Sequence, residues 1–283
     1  MTGAPGTPDG APAEPADAAD SADAAAAILA AHRTAGTRLD RLPAALVPAD
    51  PAAAYAVQAR LRERLAPELG ARAGDKVGCT TPVMQAYLGI PTPCAGTIYA
   101  ATILRSPARR AVPADVVLGV ECEIAVRLAA DLPGGSEGVG REAAAAAVGR
   151  VMLALEIVAD RYRDYSALDT PTLIADDFFG AGCVLGPELP AAGIDLRAVT
   201  AAMTIDGEER GRGVGTEILG DPLAVLAWLA DLRAAAGTPL RAGMIVLLGS
   251  LVRTQWVAAG QAIVGASPQL GRVELTMGAA ADG

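Results

Sequence analysis

The chain has 283 residues; 23 are Lys or Arg, 32 are Asp or Glu and one is His, which gives a formal charge of −9. This acidic balance lacks the basic face that nucleic-acid binding requires. No uninterrupted apolar run reaches the roughly 18 residues of a membrane span. We therefore expect neither a nucleic-acid partner nor a membrane-inserted segment.

Two residue types are nearly absent from the chain. Lys76 is the only lysine and His32 the only histidine. A zinc site with several histidines is therefore excluded, and Val77 after Lys76 does not fit a phosphate-binding P-loop. The four cysteines show no Cys-x-x-Cys spacing, and no basic start followed by an apolar stretch indicates secretion. These features predict reduced thiols and a cytoplasmic protein.

The first part of the chain divides by composition. Residues 1–22 are almost entirely Ala, Pro, Gly and Asp, which predicts a disordered tail. We expect residues 23–283 to form a single catalytic domain, with a helical part at 23–73 and a β-rich core at 74–283. Within the helical part, residues 24–32 read as a helix, and Asp50 with Pro51 predicts the start of a second helix.

Short β-like segments dominate the remainder. Asp206 and Gly207 after one of them indicate a tight hairpin, and helices are expected at 142–148 and 222–236. Because strands and helices do not alternate regularly, the pattern favours an α+β fold. The predicted strands are 75–80, 116–128, 151–158, 183–185, 201–205, 245–248, 254–257, 262–264 and 272–277.

Three glutamates interrupt apolar strand segments. Glu121 and Glu123 are two residues apart, so their carboxylates share one face of a strand while Cys122 points to the other. Glu156 breaks a second apolar run. Oxygen donors without a His or Cys pattern suit Mg²⁺ or Mn²⁺. The alternative is a solvated strand face in which Glu156 pairs with an arginine.

Lys76 also lies in a predicted strand, in a chain that otherwise uses arginine as its basic residue. An ammonium group is compact, and its pKa responds to burial, so it can exchange protons where a guanidinium cannot. This favours a catalytic role, and the alternative is a surface lysine without function.

Taken in order, several motifs resemble the 2-keto-4-pentenoate hydratase branch of the fumarylacetoacetate hydrolase superfamily. The resemblance runs from about residue 32 to 277. It includes a Lys-hydrophobic-Gly-x-Thr strand, a Glu-x-Glu strand and a third strand with a single glutamate. The matching segments are 76–81, 120–125, 154–161, 175–177, 183–186, 220–223 and 242–250.

This resemblance implies a fumarylacetoacetate-hydrolase-like mixed β-roll with flanking helices. It implies Mg²⁺ or Mn²⁺ on Glu121, Glu123 and Glu156. It also implies a cytoplasmic homo-oligomer that can form a complex with a pathway aldolase or decarboxylase. The expected activity is that of a metal-dependent hydro-lyase, which adds water to a short 2-hydroxydienoate or 2-oxoalkenoate in aromatic-compound catabolism.

The resemblance also assigns roles to individual side chains. Lys76 is expected to assist proton transfer, and Arg161 to orient Glu156 or meet the substrate carboxylate. Many hydratases of this branch have Asp where this chain has Cys94, and Asp-Asn-Ala-Ser where it has residues 176–179. Two phenylalanines there make the pocket more apolar. The expected substrate-binding residues are Cys94, Asp177, Phe179 and Ser250.

Two further functions stay open on the sequence. A 2-oxo-3-enedioate decarboxylase of 4-oxalocrotonate type uses the same metal chemistry and also lacks the Asp at the position of Cys94. An inactive partner or binding subunit is a possibility of another class, against which the retained glutamates and Lys76 argue. The carbon–carbon hydrolases of the superfamily use a His-x-x-Glu pair, and His32 is followed by Arg33, Thr34 and Ala35.

Overall fold

The computed structural model describes residues 15–135 and 137–279. Among these residues, no helix combines the length and the apolarity needed to cross a bilayer. The helices are α1 (Pro15–Ala35), α2 (Pro51–Leu69), α3 (Pro82–Leu88), α4 (Arg141–Ala147), α5 (Thr170–Ala175) and α6 (Pro222–Ala235). The strands are β1 (Arg72–Gly78), β2 (Cys94–Tyr99), β3 (Ile103–Arg105), β4 (Ala108–Ala111), β5 (Val117–Leu128), β6 (Val148–Asp160), β7 (Gly180–Leu185), β8 (Leu189–Pro190), β9 (Thr200–Ile205), β10 (Glu208–Val214), β11 (Ile245–Val257), β12 (Ala262–Ser267) and β13 (Gly271–Gly278).

The strands form two mixed sheets. The larger has the order β2-β1-β11-β5-β6-β7-β3, with β8 paired to β6, and the smaller has the order β10-β9-β12-β13-β4. Pairing is parallel between β1 and β11, β3 and β7, and β4 and β13, and antiparallel elsewhere. Helices flank this β-rich centre, which confirms the predicted α+β class.

The main core lies between the two sheets. On β5, the even-numbered residues from Leu118 to Leu128 all belong to this core. A Cβ added at Gly265 of β12 would lie 3.0 Å from the Cys122 sulfur, so the smaller sheet packs closely on this face of β5. Side chains alternate along a strand, and the odd-numbered residues therefore face away from the smaller sheet.

The amino-terminal helices form a second apolar cluster. Asp50 caps α2 by accepting from the Ala53 amide at 2.8 Å, and Pro51 is its first residue, which confirms the predicted start. Leu61 and Leu65 of α2 pack with residues of α1 and α5. This cluster covers the large sheet beside β1 and β2 through Cys79 and Cys94.

The start of α1 corrects a sequence expectation. The helix begins at Pro15 and not at residue 24, so residues 15–22 are helical and not a disordered tail. Alanine has the highest helix propensity, and Ala22, Ala25 and Ala26 are buried in the amino-terminal cluster. Residues 1–14 of the predicted tail lie outside the described residues. The division into a tail and one catalytic domain stays a prediction.

Other differences from the expectation concern the strands. The two strands expected at 245–248 and 254–257 are one strand, β11, with register shifts against β5. Gly249 lies at a shift with a φ of 129°, and a Cβ there would approach the Thr80 hydroxyl to 2.4 Å. The β9–β10 hairpin is confirmed, with left-handed Asp206 and Gly207 at its turn. The sequence analysis missed α3, α5, β2, β3, β4 and β8, and it gave no range for β10, which only the hairpin signal implied.

Candidate active site

Two neighbouring strands bring the three glutamates together. In the antiparallel register of β5 and β6, Glu121 is paired with Glu156, and Glu123 with Ala154. The glutamates therefore share the face of the large sheet that points away from the smaller sheet, whereas Cys122 lies in the main core. This confirms the side-chain alternation expected from the sequence.

The three carboxylates form a compact cluster, here called the acidic centre (Glu121, Glu123 and Glu156). One oxygen from each residue lies within 4.8 Å of the other two. Glu123 and Glu156 are buried, with only 1% and 2% of their surfaces exposed. The Gly249 amide donates to Glu123 Oε2 at 3.0 Å, and the Thr254 hydroxyl donates to Glu121. Strand β11 therefore orients two of the three carboxylates.

Lys76 of β1 points at the acidic centre. Its Nζ lies 3.0 Å from Glu156 Oε1 and donates a 2.6 Å hydrogen bond to the Phe178 carbonyl oxygen. The ammonium is also 5.1 Å from the centre of the Phe178 ring, and the residue is only 3% exposed. The alternative of a surface lysine is therefore wrong. The alternative in which Glu156 pairs with an arginine is wrong as well, because its partner is Lys76.

The electrostatics of this cluster are unbalanced. Burial raises the pKa of Glu156 to about 7, which Lys76 opposes and Glu121 reinforces. Burial and the two neighbouring carboxylates also raise the pKa of Glu123 well above its ordinary range. Burial by itself lowers the pKa of Lys76, but the Glu156 and Glu121 carboxylates outweigh it and raise that pKa. One ammonium thus faces three carboxylates that repel one another.

The donor set fits a hard divalent cation. All three ligands are carboxylate oxygens, which Mg²⁺ and Mn²⁺ prefer. Among the described residues, Lys76 with Glu156 is the one ion pair of the acidic centre, so two of its three carboxylates have no cationic partner. A divalent cation would neutralise this remaining charge, so these residues can hold it.

The acidic centre opens into a cleft of about 1570 Å³. Lys76 and Glu121 line it together with the predicted substrate-binding residues Phe179 and Ser250. Apolar side chains make up much of its remaining wall. These include Val83, Met84, Leu88, Ile90, Val158, Leu168, Leu173 and Leu251.

The other two predicted substrate-binding residues do not line this cleft. Cys94 is fully buried, and its hydrogen bond with the Cys79 thiol, together with burial, raises its pKa. Asp177 is also fully buried; it accepts from the Thr97 amide at 3.0 Å and from Arg33 at 2.8 Å. Their positions do not support substrate contact, because neighbouring side chains already occupy both polar groups.

Arg161 belongs to a separate charged group, here called the arginine–aspartate cluster (Arg33, Arg161, Asp176 and Asp177). Arg161 donates to Asp176 at 3.2 Å and to the Gly180 carbonyl, and Arg33 lies 2.8 Å from Asp177. Arg161 lines a smaller cavity of about 210 Å³ and does not line the cleft. The expectation that Arg161 orients Glu156 or meets the substrate is therefore wrong on position.

A strained loop connects the arginine–aspartate cluster to the cleft. Asp177, Phe178 and Phe179 have φ values of 56°, 47° and 64°, three consecutive left-handed residues without a glycine. Each such residue costs on the order of 1–3 kcal/mol and persists only where its surroundings hold it in place. Asp177 is held by Arg33, and the Phe178 carbonyl by Lys76. The loop thereby delivers both phenylalanines to the cleft.

Sequence reasoning missed four contributors to the site. Thr254 and Gly249 bond the acidic centre, and Tyr165 and Trp256 line the cleft. Trp256 and Thr254 lie two residues apart in a segment that was recognised as a strand, so their shared face was a usable signal. Gly249 and Tyr165 are placed by the bend in β11 and by a short 3₁₀ helix, which no local pattern indicated.

The chain is similar to known proteins in sequence and in fold. The family described as fumarylacetoacetate (FAA) hydrolase C-terminal matches residues 92–277. A 2-keto-4-pentenoate hydratase of Paraburkholderia phymatum is 37% identical over 204 residues, covering 71% of this chain and 76% of the relative. A 4-oxalocrotonate decarboxylase of Pseudomonas putida is 29% identical over 223 residues, covering 78% and 83% of the two chains.

A solved structure supports the same fold assignment. The 4-oxalocrotonate decarboxylase from Pseudomonas putida G7, complexed with magnesium and adipate, superposes with a TM-score of 0.85 at 24% identity, covering 91% of this chain and 97% of that one. Its sequence identity limits this comparison to the fold. The family match and the hydratase relative place the chain by sequence: it belongs to the fumarylacetoacetate hydrolase family, in the branch that contains the 2-keto-4-pentenoate hydratases.

Proposed function

We propose that the protein is a metal-dependent hydro-lyase that adds water to a short 2-hydroxydienoate or its 2-oxoalkenoate tautomer, as 2-keto-4-pentenoate hydratases do. The observation that carries this proposal is the buried Lys76 ammonium, 3.0 Å from Glu156 in a three-carboxylate centre that opens into the cleft. The 37% identity to a named hydratase supports the same reaction.

The residues around the cleft fit this chemistry. When bound by Glu121, Glu123 and Glu156, Mg²⁺ or Mn²⁺ supplies a Lewis acid for the substrate's oxygen atoms. Lys76 holds a proton at Nζ, because the neighbouring carboxylates raise its pKa. It donates this proton to C5 of the dienol and takes up the proton that leaves the 2-hydroxyl group, which gives the conjugated 2-oxoalkenoate and restores the ammonium. Water then adds across the conjugated double bond: its oxygen bonds to C4 and its proton goes to C3, which gives a 4-hydroxy-2-oxo acid.

Lys76→Ala tests the proposed role of the ammonium. We expect this variant to lose about 10²–10⁴-fold in kcat for Mg²⁺-dependent dienol hydration, because general acid catalysis contributes that much. Calorimetric Mg²⁺ binding should persist, since the three carboxylates remain. Arg60→Ala removes an exposed cation and is the matched control. Full activity of Lys76→Ala would overturn the proposed mechanism.

A decarboxylase acting on a 2-oxo-3-enedioate is the second candidate. It is favoured by the 29% identical 4-oxalocrotonate decarboxylase and by Arg253, an exposed cation on the cleft wall that a second carboxylate would need. Release of CO₂ from a 2-oxo-3-enedioate, without hydration of a monocarboxylic dienoate, would establish this activity in place of the first.

The assembly and location of the protein form a further part of the proposal. From the family resemblance we propose a homo-oligomer that associates with an aldolase or decarboxylase of its pathway. The four free, buried cysteines fit the reducing cytoplasm. Sedimentation velocity tests the homo-oligomer directly, because a monomer at micromolar concentration would contradict it.

An inactive binding subunit remains the candidate of another class. It would need neither a metal nor a proton donor, whereas this chain buries Glu123, Glu156 and Lys76 together at a cost in desolvation. Failure to bind any divalent cation would favour it over both enzymes.

A further inference from the structure

Three aromatic side chains stand together on one side of the cleft, and we call them the aromatic wall (Phe179, Tyr165 and Trp256). The Tyr165 ring centre lies 5.6 Å from that of Phe179 and 6.3 Å from that of Trp256. Tyr165 and Trp256 are 38% and 46% exposed. Large apolar rings that face a cleft gain free energy when a ligand covers them. The aromatic wall is therefore suited to an apolar ligand group.

The sheet register fixes where the aromatic wall lies relative to the acidic centre. Trp256 is paired with Gly119, and Gly119 shares its strand face with Glu121, two residues or about 7 Å away. A Cβ at Gly119 would lie 3.0 Å from the Trp256 ring and 2.9 Å from a Val158 methyl group. The indole and Val158 thus fill the place that a side chain at position 119 would take. An extended chain held at the acidic centre reaches the indole after a few carbon atoms.

The charges around the cleft support the same conclusion. No residue of the aromatic wall carries a positive charge that could form an ion pair with a carboxylate, and Phe178 adds a fourth ring, 5.7 Å from Phe179. Arg253 is the cation that a carboxylate at the far end of the substrate would need, and its side chain is exposed. The rings form a continuous surface, whereas a distal carboxylate would have to meet this single solvated group.

We infer that the aromatic wall is a specificity subsite, which selects substrates bearing an alkyl or aryl group, and not a carboxylate, at the end remote from the 2-oxo acid. This inference rests on the proposed function only in taking the 2-oxo acid end to lie at the acidic centre. The surplus volume of the cleft then accommodates the apolar end of a substituted dienoate.

Equilibrium binding of unreactive 2-oxo acids tests the subsite without turnover. The probes are 2-oxopentanoate, 2-oxo-5-phenylpentanoate and 2-oxoadipate, titrated by calorimetry into the full chain with saturating Mg²⁺. We expect the phenyl acid to bind about tenfold more tightly than 2-oxopentanoate, from contacts with one or two rings. We expect 2-oxoadipate to bind no more tightly than 2-oxopentanoate.

Variants then assign this preference to the wall. Trp256→Ala and Phe179→Ser should each reduce the preference for the phenyl acid at least threefold while Mg²⁺ affinity stays unchanged. Val117→Ala, an exposed apolar residue outside the cleft, is the matched control. The inference is overturned if 2-oxoadipate binds most tightly and Arg253→Gln abolishes that binding. It is also overturned if the three acids bind equally, if none binds, or if Trp256→Ala changes the sedimentation coefficient, which would make the wall a subunit interface.

The outcomes separate this inference from the proposed function. A preference for the phenyl acid, with no hydration of any dienoate, would remove the hydratase proposal and leave the subsite. Hydration of a dienoate, without any preference for the phenyl acid, would support the hydratase proposal and remove the subsite.

Discussion

The acidic centre and the arginine–aspartate cluster are both buried groups of charges, yet they differ in balance. In the arginine–aspartate cluster, two guanidinium groups meet two carboxylates at 2.8–3.5 Å. In the acidic centre, three carboxylates meet one ammonium. A balanced buried group can serve stability alone, whereas an excess of buried negative charge is costly unless a cation joins it. The excess of negative charge therefore distinguishes the acidic centre, which is the functional site, from the arginine–aspartate cluster, which supports it.

The two regions are also connected. Arg33 and Thr97 hold Asp177, and the next two residues of the same loop are Phe178 and Phe179. The balanced group thus fixes the left-handed loop on which the site depends, and it contributes no side chain to the cleft. Mutations in the two regions should consequently have different effects. Those in the arginine–aspartate cluster should lower the free energy of unfolding, and those in the acidic centre should change metal binding and turnover.

Arg33→Met should produce the largest change in stability. It leaves Asp177 buried with its ion-pair partner removed, and breaking a buried pair in this way costs about 3–5 kcal/mol. Arg60→Met, in an exposed pair with Glu63, should change the free energy of unfolding by no more than about 1 kcal/mol. Urea denaturation measures both. Equal effects of the two substitutions would remove the structural role of the arginine–aspartate cluster.

Glu123→Gln should stabilise the metal-free protein, in contrast to Arg33→Met, which should destabilise it. The amide oxygen can still accept from Gly249, while one buried repulsive charge disappears, so the free energy of unfolding in EDTA should rise by about 1 kcal/mol or more. With Mg²⁺ at 100 times its Kd, the wild type should gain about 2.7 kcal/mol and the variant much less. A loss of stability in EDTA would show that the carboxylate is needed for the fold itself.

The excess of carboxylates in the acidic centre should also appear in the pH dependence of the free energy of unfolding. In the folded protein the pKa of Glu156 is about 7 against an ordinary value of 4.5, so the folded state binds a proton more tightly than the unfolded chain. Stability in EDTA should therefore fall as the pH rises from 5 to 7, and Glu123, whose pKa is also raised, should add to this decline. Glu156→Gln should flatten this decline, and saturating Mg²⁺ should reverse it. An unchanged slope in Glu156→Gln would assign the titration to another group.

The sequence predicted the acidic centre more completely than its surroundings. Alternation along β5 placed Glu121 and Glu123 on one face, and the apolar run around Glu156 marked a buried strand, because both signals are local. The register that pairs Glu121 with Glu156 depends on contacts between strands, and no local pattern contains it.

The errors have the same physical origin. Arg161 was expected to orient Glu156 or to meet the substrate carboxylate because its planar guanidinium suits carboxylates, but burial beside Asp176 decides its partner. Asp177 directly precedes two cleft residues in the chain, and Cys94 lies three residues after Pro91 of the cleft, but both side chains are buried in packed interior. The left-handed turn of residues 177–179 contains no glycine, so the sequence did not indicate it. Side chains distant in the sequence hold this turn in place.

Calorimetric titration of Mn²⁺ into the metal-free protein tests the central claim most directly. We predict one site per chain that is lost in Glu121→Gln and retained in Lys76→Met, because the carboxylates bind the cation and the ammonium competes with it. Binding that survives Glu121→Gln, Glu123→Gln and Glu156→Gln without loss of affinity would contradict the account.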